Sequence, residues 1–142
     1  METEFFSPDE VVLIKSYEGG KDNLAKFNES IQQTKNLVKA YKDLGQFFIS
    51  YNNKDLFAKT YTKLGQILFD QKDFINAIEA FQTVVKIHPQ YEKSYFNLGE
   101  AFHAIGNSKA ALEAFEAAIK ADSHDSDAYC GLGDGLCAFR KV

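Results

Sequence analysis

The chain has 142 residues, 45% of them hydrophobic and 25% charged, with a formal net charge of −4. That is the balance of a globular domain long enough to bury one core, and its acidity argues against nucleic acid as a partner, because phosphate binding draws its affinity from clustered Lys and Arg. No apolar run approaches the roughly 18 residues of a membrane span, and Met1–Ser7 is acidic where a secretion signal would be basic, so a cytoplasmic protein is expected.

Ser7-Pro8-Asp9-Glu10 reads as a helix start: Ser caps, Pro takes the first helical position, and Glu reaches back three residues later. Val11, Val12, Leu13 and Ile14 follow in a short, densely apolar helix that stops at Gly19-Gly20. Such a helix needs cover, and a lid folded back on the helices behind it is the simplest expectation. A partner-docking or self-association segment is the sharper one.

From Asp22 as a cap, a helical pattern runs without Gly-Pro punctuation to Asn52-Asn53. Leu24, Phe27, Ile31, Thr34, Val38, Tyr41, Gly45 and Phe48 alternate steps of three and four. The spacing predicts one long helix of about 30 residues, more than a globular helix usually has. Gly45 and Thr34 in the seam favour packing against Leu56–Phe69 over a coiled coil with a second molecule. Tyr41–Gln46 echoes Tyr61–Gln66 at an offset of 20, which suggests that the end of this helix packs as its neighbour does. Asn52-Asn53-Lys54-Asp55 supplies the turn between them.

Residues 58–91 and 92–125 are one 34-residue unit written twice, sharing nine residues without a gap, among them Tyr61/Tyr95, Leu64/Leu98, Gly65/Gly99, Ala77/Ala111, Phe81/Phe115 and Lys86/Lys120. Residues 126–142 open a third copy with Tyr129, Leu132-Gly133 and Leu136. Within each unit the apolar positions recur at three and four, first on one helix and then on another, with turns at Lys72-Asp73 and Gly106-Asn107. A mid-helix Gly costs about 1 kcal/mol against Ala, so Gly65 and Gly99 imply a close approach of two helices. A period of this length predicts stacked helical hairpins.

These residues resemble the tetratricopeptide repeat family: Tyr61, Leu64-Gly65, Leu68, Ala77, Phe81, Val84 and Pro89 follow its pattern, and Ser123 departs from it where Pro is usual. The resemblance implies an all-α solenoid of helical hairpins, about seven helices in a right-handed superhelical stack. Residues 1–57 form an N-terminal extension and 58–142 the repeats, folded together as one domain. It further implies a concave wall of first helices that binds a peptide or helix of another protein. Its exposed positions are Lys59, Thr62, Lys63, Gln66 and Phe69, then Lys93, Phe96, Asn97, Glu100 and His103. Phe69 and Phe96 are the expected anchors, and Lys42, Lys59, Lys63 and Lys93 would favour an acidic ligand.

One subgroup of the family grips the terminal carboxylate of heat-shock chaperones with five Lys, Asn and Arg residues. Thr62, Gln66, Asp127 and Gly131 break that set and Asn97 alone matches it, which excludes the role. Leu132, Leu136 and Phe139 on the last helix have no successor to cover them and are candidates for self-association.

For chemistry the chain offers little. Gly131, Gly133 and Gly135 lack the strand-turn-helix setting of a phosphate loop, and Asp73, Glu79, Glu92 and Glu113 are scattered over helix starts and surfaces. Cys130 and Cys137 are two helical turns apart, about 10 Å, too far for a disulfide. A zinc set of His103, Cys130 and Cys137 is disfavoured against small groove-lining residues. The expected function is therefore non-catalytic: an adaptor or assembly scaffold with no cofactor and no metal. The rivals are a recruiting N-terminal domain of a larger enzyme, such as a protein-modifying transferase, and a self-assembling scaffold.

Overall fold

In the computed structural model, which describes residues 5–31, 37–91, 93–121, 129–131 and 133, every regular element among the described residues is a helix. The chain divides into two compact units, Met1–Thr60 and Tyr61–Val142.

In the first unit, helix α1 (Pro8–Ser16) starts as its sequence requires. The Ser7 hydroxyl accepts from the Glu10 amide at 3.2 Å and the Glu10 carboxylate accepts from the Ser7 amide at 2.8 Å, a complete capping box. The apolar run that follows is only partly covered. Ile14 is fully buried, whereas Val12 and Leu13 are 69% and 43% exposed. The helix ends at Tyr17, and Gly19, with φ +79°, turns the chain into α2 (Gly20–Ile31). Here Gly20 is obligatory, because a β-carbon on it would run into the carbonyl of Ile14.

The expected long helix is two helices. α2 begins at Gly20, ahead of Asp22, and ends at Ile31; α3 (Leu37–Ser50) runs back along it. Their antiparallel register is fixed at both ends: Phe27 meets Tyr41 edge-on at 5.0 Å, and the Tyr51 hydroxyl, just past α3, donates to the Glu18 carbonyl at 2.8 Å. A single helix would hold Phe27 and Tyr41 about 21 Å apart. The three-and-four stripe is thus the mutual face of a hairpin. Tyr41–Gln46 lies on the second helix of that hairpin, so its echo of Tyr61–Gln66 joins unlike members of two hairpins.

Aromatic rings fill this unit. Phe48 is fully buried and Phe6 nearly so, with Phe6 5.8 Å from Phe48 and 6.0 Å from Phe27. Burial pushes the Tyr41 phenol up from its ordinary pKa. Asn53 opens α4 (Lys54–Asp70) by accepting from the Leu56 amide at 3.0 Å. The Lys59 ammonium on α4 then donates to Glu10 Oε1 at 2.7 Å.

The division between the units falls inside α4. The second unit holds the rest of that helix, then α5 (Phe74–Ile87), α6 (Ser94–Ala104) and α7 (Ser108–Ala121). Asp73 caps α5 by accepting from Asn76, and Asn107 caps the start of α7 by accepting from Ala110. The predicted turns therefore stand where the sequence puts them, with Lys72 and Gly106 in the left-handed region.

Partial burial works against the charge on Glu10, but the Lys59 ammonium and the Ser7 amide and hydroxyl outweigh it, so the carboxyl is held below its ordinary value. A depressed carboxyl contributes stability that is present above the unfolded-state value and is lost as pH falls through the folded one. Glu10→Gln keeps the cap's shape and removes the charge. In urea titrations followed by circular dichroism, wild type is expected to exceed this variant by about 1 kcal/mol at neutral pH, and the gap closes as the pH is taken below the carboxylate range. A gap independent of pH would contradict the ion pair's role.

Candidate functional site

The second unit is held together by rings packed where a facing helix has no β-carbon. An added Cβ on Gly99 of α6 would come within 2.7 Å of the Phe115 ring on α7, and one on Gly65 of α4 would collide with Phe81 of α5. Gly131 uses the same Phe115 ring, with a Cβ-to-ring distance of 2.5 Å. Gly133, the 34-residue counterpart of Gly65 and Gly99, meets nothing within 4 Å. The Phe115 ring thus sits against both Gly99 and Gly131. Leu64, Ala77, Phe81, Ala111 and Phe115 are buried throughout, which leaves the remaining faces of α4 and α6 for other work.

The predicted wall residues fall into three groups. Lys63, Gln66, Lys93, Glu100 and His103 are exposed. Phe69, Phe96 and Asn97 are half-buried, and both rings are tied into their own hairpins: Phe69 meets Phe74 at 5.1 Å and Phe96 meets Phe115 at 5.9 Å. The Lys93 ammonium lies over the Phe96 ring, 5.1 Å from its centroid.

Two of the predicted residues differ from the rest. Thr62 is half-buried, and its hydroxyl is shut off from solvent with no hydrogen-bond partner among the described residues. Lys59 belongs to the first unit and is already engaged by Glu10 and by the rings of Phe5 and Phe6. The proposed self-association residues Leu132, Leu136 and Phe139 lie outside the described residues, as does Cys137. His103 and Cys130 are exposed, and no three His, Cys, Asp or Glu side chains gather into a metal-holding group among the described residues.

What the residue pattern missed is the Phe5-Phe6 pair. Its signal was legible, since Phe6 stands just before the Ser7 cap, the position from which a hydrophobic staple is made.

Paired antiparallel helices, a 34-residue period and a ring seated on glycine in each copy define a helical-hairpin repeat. The family model of the tetratricopeptide repeat matches residues 56–123, so that span is built of tetratricopeptide repeats. No curated protein sequence matches it. Among solved structures, the first tetratricopeptide domain of Spaghetti (RPAP3), bound to the HSP90 peptide SRMEEVD, superposes with a TM-score of 0.64 at 16% identity, covering 97% of this chain and 99% of that one. The TPR2B domain of yeast Sti1, in a complex with pHsp70, superposes with a TM-score of 0.60 at 21% identity, covering 86% and 97%. These likenesses establish the fold.

The glycine contacts make opposite predictions for two otherwise similar residues. Gly99→Ala forces its methyl into the Phe115 ring and is expected to destabilise the protein by about 1–3 kcal/mol. Gly133→Ala enters open space and, by helix propensity, should be neutral or stabilising by up to about 1 kcal/mol. Thermal and urea unfolding of the two variants checks both. Equal effects would contradict the packing described.

Proposed function

We propose that this chain is a non-catalytic protein-interaction module, an adaptor or assembly scaffold of the cytoplasm, that receives an extended peptide or a helix along the first helices of the second unit. One observation carries the reading: packing consumes one face of α4 and α6 and leaves Lys63 and Gln66 exposed on the first, Glu100 and His103 on the second and Lys93 at its N-cap, with Asn97 half-exposed among them. Two structures of the same fold are peptide or partner complexes, which supports a role of that kind here.

The ligand differs from that of the chaperone-binding relatives. Asn97 is the lone match to their carboxylate-gripping residues, with Thr62, Gln66, Asp127 and Gly131 at the other positions. A terminal carboxylate would find too few donors, since each charge-assisted hydrogen bond contributes roughly 1.5–3 kcal/mol. Lys63 and Lys93 instead suit acidic side chains within a segment.

Peptides selected from a random display library against the folded protein, measured by calorimetry, test the surface. Lys63→Glu and Asn97→Ala should each weaken binding at least about tenfold, a loss of about 1.4 kcal/mol, and added salt should weaken it further. The peptide SRMEEVD should bind no better than its scrambled form. Selected peptides indifferent to both substitutions would overturn the assignment of this surface.

A further inference from the structure

The first unit contains a set of contacts that repeat packing does not require. The Lys59 ammonium donates to Glu10 Oε1 at 2.7 Å and stands 5.1 Å from the Phe5 ring and 5.5 Å from that of Phe6. Behind Lys59, Phe5 lies 5.7 Å from Tyr41, and Phe6 lies 5.8 Å from Phe48, both edge-on. Two adjacent aromatic side chains and a carboxylate one helical turn further on are thus received by Lys59, Phe27, Tyr41 and Phe48. A cation held between ring faces and a carboxylate reads both features at once.

Phe6 is buried, but the helix that continues this segment is lightly held: α1 buries Ile14 alone, while Val12 and Leu13 are exposed. The ion pair itself is part-exposed, at 28% for the Lys59 side chain and 29% for Glu10. Segments with few buried apolar contacts are those that open locally. The receiving surface, by contrast, is built from buried residues of the α2–α3 hairpin.

We propose that residues Phe5–Glu10 are an internal ligand occupying a binding site for a segment of another protein with the same chemistry, two adjacent aromatic residues followed by a carboxylate, and that this partner enters by displacing them. Charge complementarity commits the occupant: with Glu10 gone, Lys59 is left part-buried among rings and demands another anion. The site lies wholly within Met1–Thr60 and does not rest on the function proposed for residues 62–103. Its apparent affinity for a partner is lowered by the fraction of time that the internal segment holds it.

The test uses the full chain and a fluorescein-labelled peptide spanning Glu2–Val11, with a scrambled control. Wild type should bind weakly, and Phe5→Ala/Glu10→Gln, which keeps Phe6 and the Ser7 cap, at least about tenfold tighter. Adding Lys59→Gln to that variant should remove the gain, and the scrambled peptide should not bind. In wild type, saturating peptide should raise hydrogen exchange of the α1 amides several-fold. The proposal is overturned if the folded double variant binds no tighter than wild type, or if the scrambled peptide competes equally. Should the double variant lose its helicity, unchanged exchange in wild type overturns the proposal by itself. A concentration-dependent dimer in which the same segment passes between copies would overturn the assignment to a different protein.

Discussion

A phenyl ring packed where the facing residue has no β-carbon is the contact on which the repeat unit depends. A glycine within a helix costs about 1 kcal/mol, and full burial of an aromatic or large aliphatic side chain stabilises by roughly 1.5–3 kcal/mol. The exchange is favourable only if the ring closes onto the backbone. Gly99 and Phe115 satisfy that condition in one copy and Gly65 and Phe81 in the other, while Gly131 extends it to the residues that follow. One contact thereby sets the spacing of successive helices. It also decides which faces of α4 and α6 are left exposed.

In the first unit a single carboxylate holds a comparable place. Glu10 Oε1 accepts from the Ser7 amide, which completes the cap of α1, and from the Lys59 ammonium, which ties that helix to α4. Local helix formation and tertiary attachment therefore share one atom. Loss of its charge, or capture of Lys59 by another anion, loosens both together. The stacked Tyr17 and Tyr51 rings, 4.5 Å apart, and the hydrogen bond from Asn53 to the Tyr17 hydroxyl secure the far end of the same segment.

The two surfaces proposed for recognition differ in kind. On α4 and α6 the exposed residues are mostly polar and the rings of Phe69 and Phe96 are engaged in their own hairpins, so the proposed recognition there would rest mainly on charge and hydrogen bonding. The Lys59 surface is largely aromatic with one cation. A fold built for close helix packing can carry both, because packing fixes only the inward positions and leaves the outward ones to vary.

Period, caps and turns were determined by the sequence alone. Thirty-four residues written twice, Ser7 and Glu10 in a capping box, and the turns at Lys72-Asp73 and Gly106-Asn107 are local statements, and local chemistry realises them. The hairpin of α2 and α3 was decided only by tertiary structure. An apolar stripe at steps of three and four is the same whether it lines one long helix or the mutual face of two, and no Gly or Pro stands between Gln32 and Asn36 to choose. The choice was made by Phe27 and Phe48 closing on Phe6 and by Tyr41 meeting Phe27, a ring cluster whose members are far apart in the chain. The engagement of Lys59 was hidden for the same reason. Its spacing in the repeat marks it as an outward residue, and only the return of Glu10, 49 positions earlier, gives it a partner.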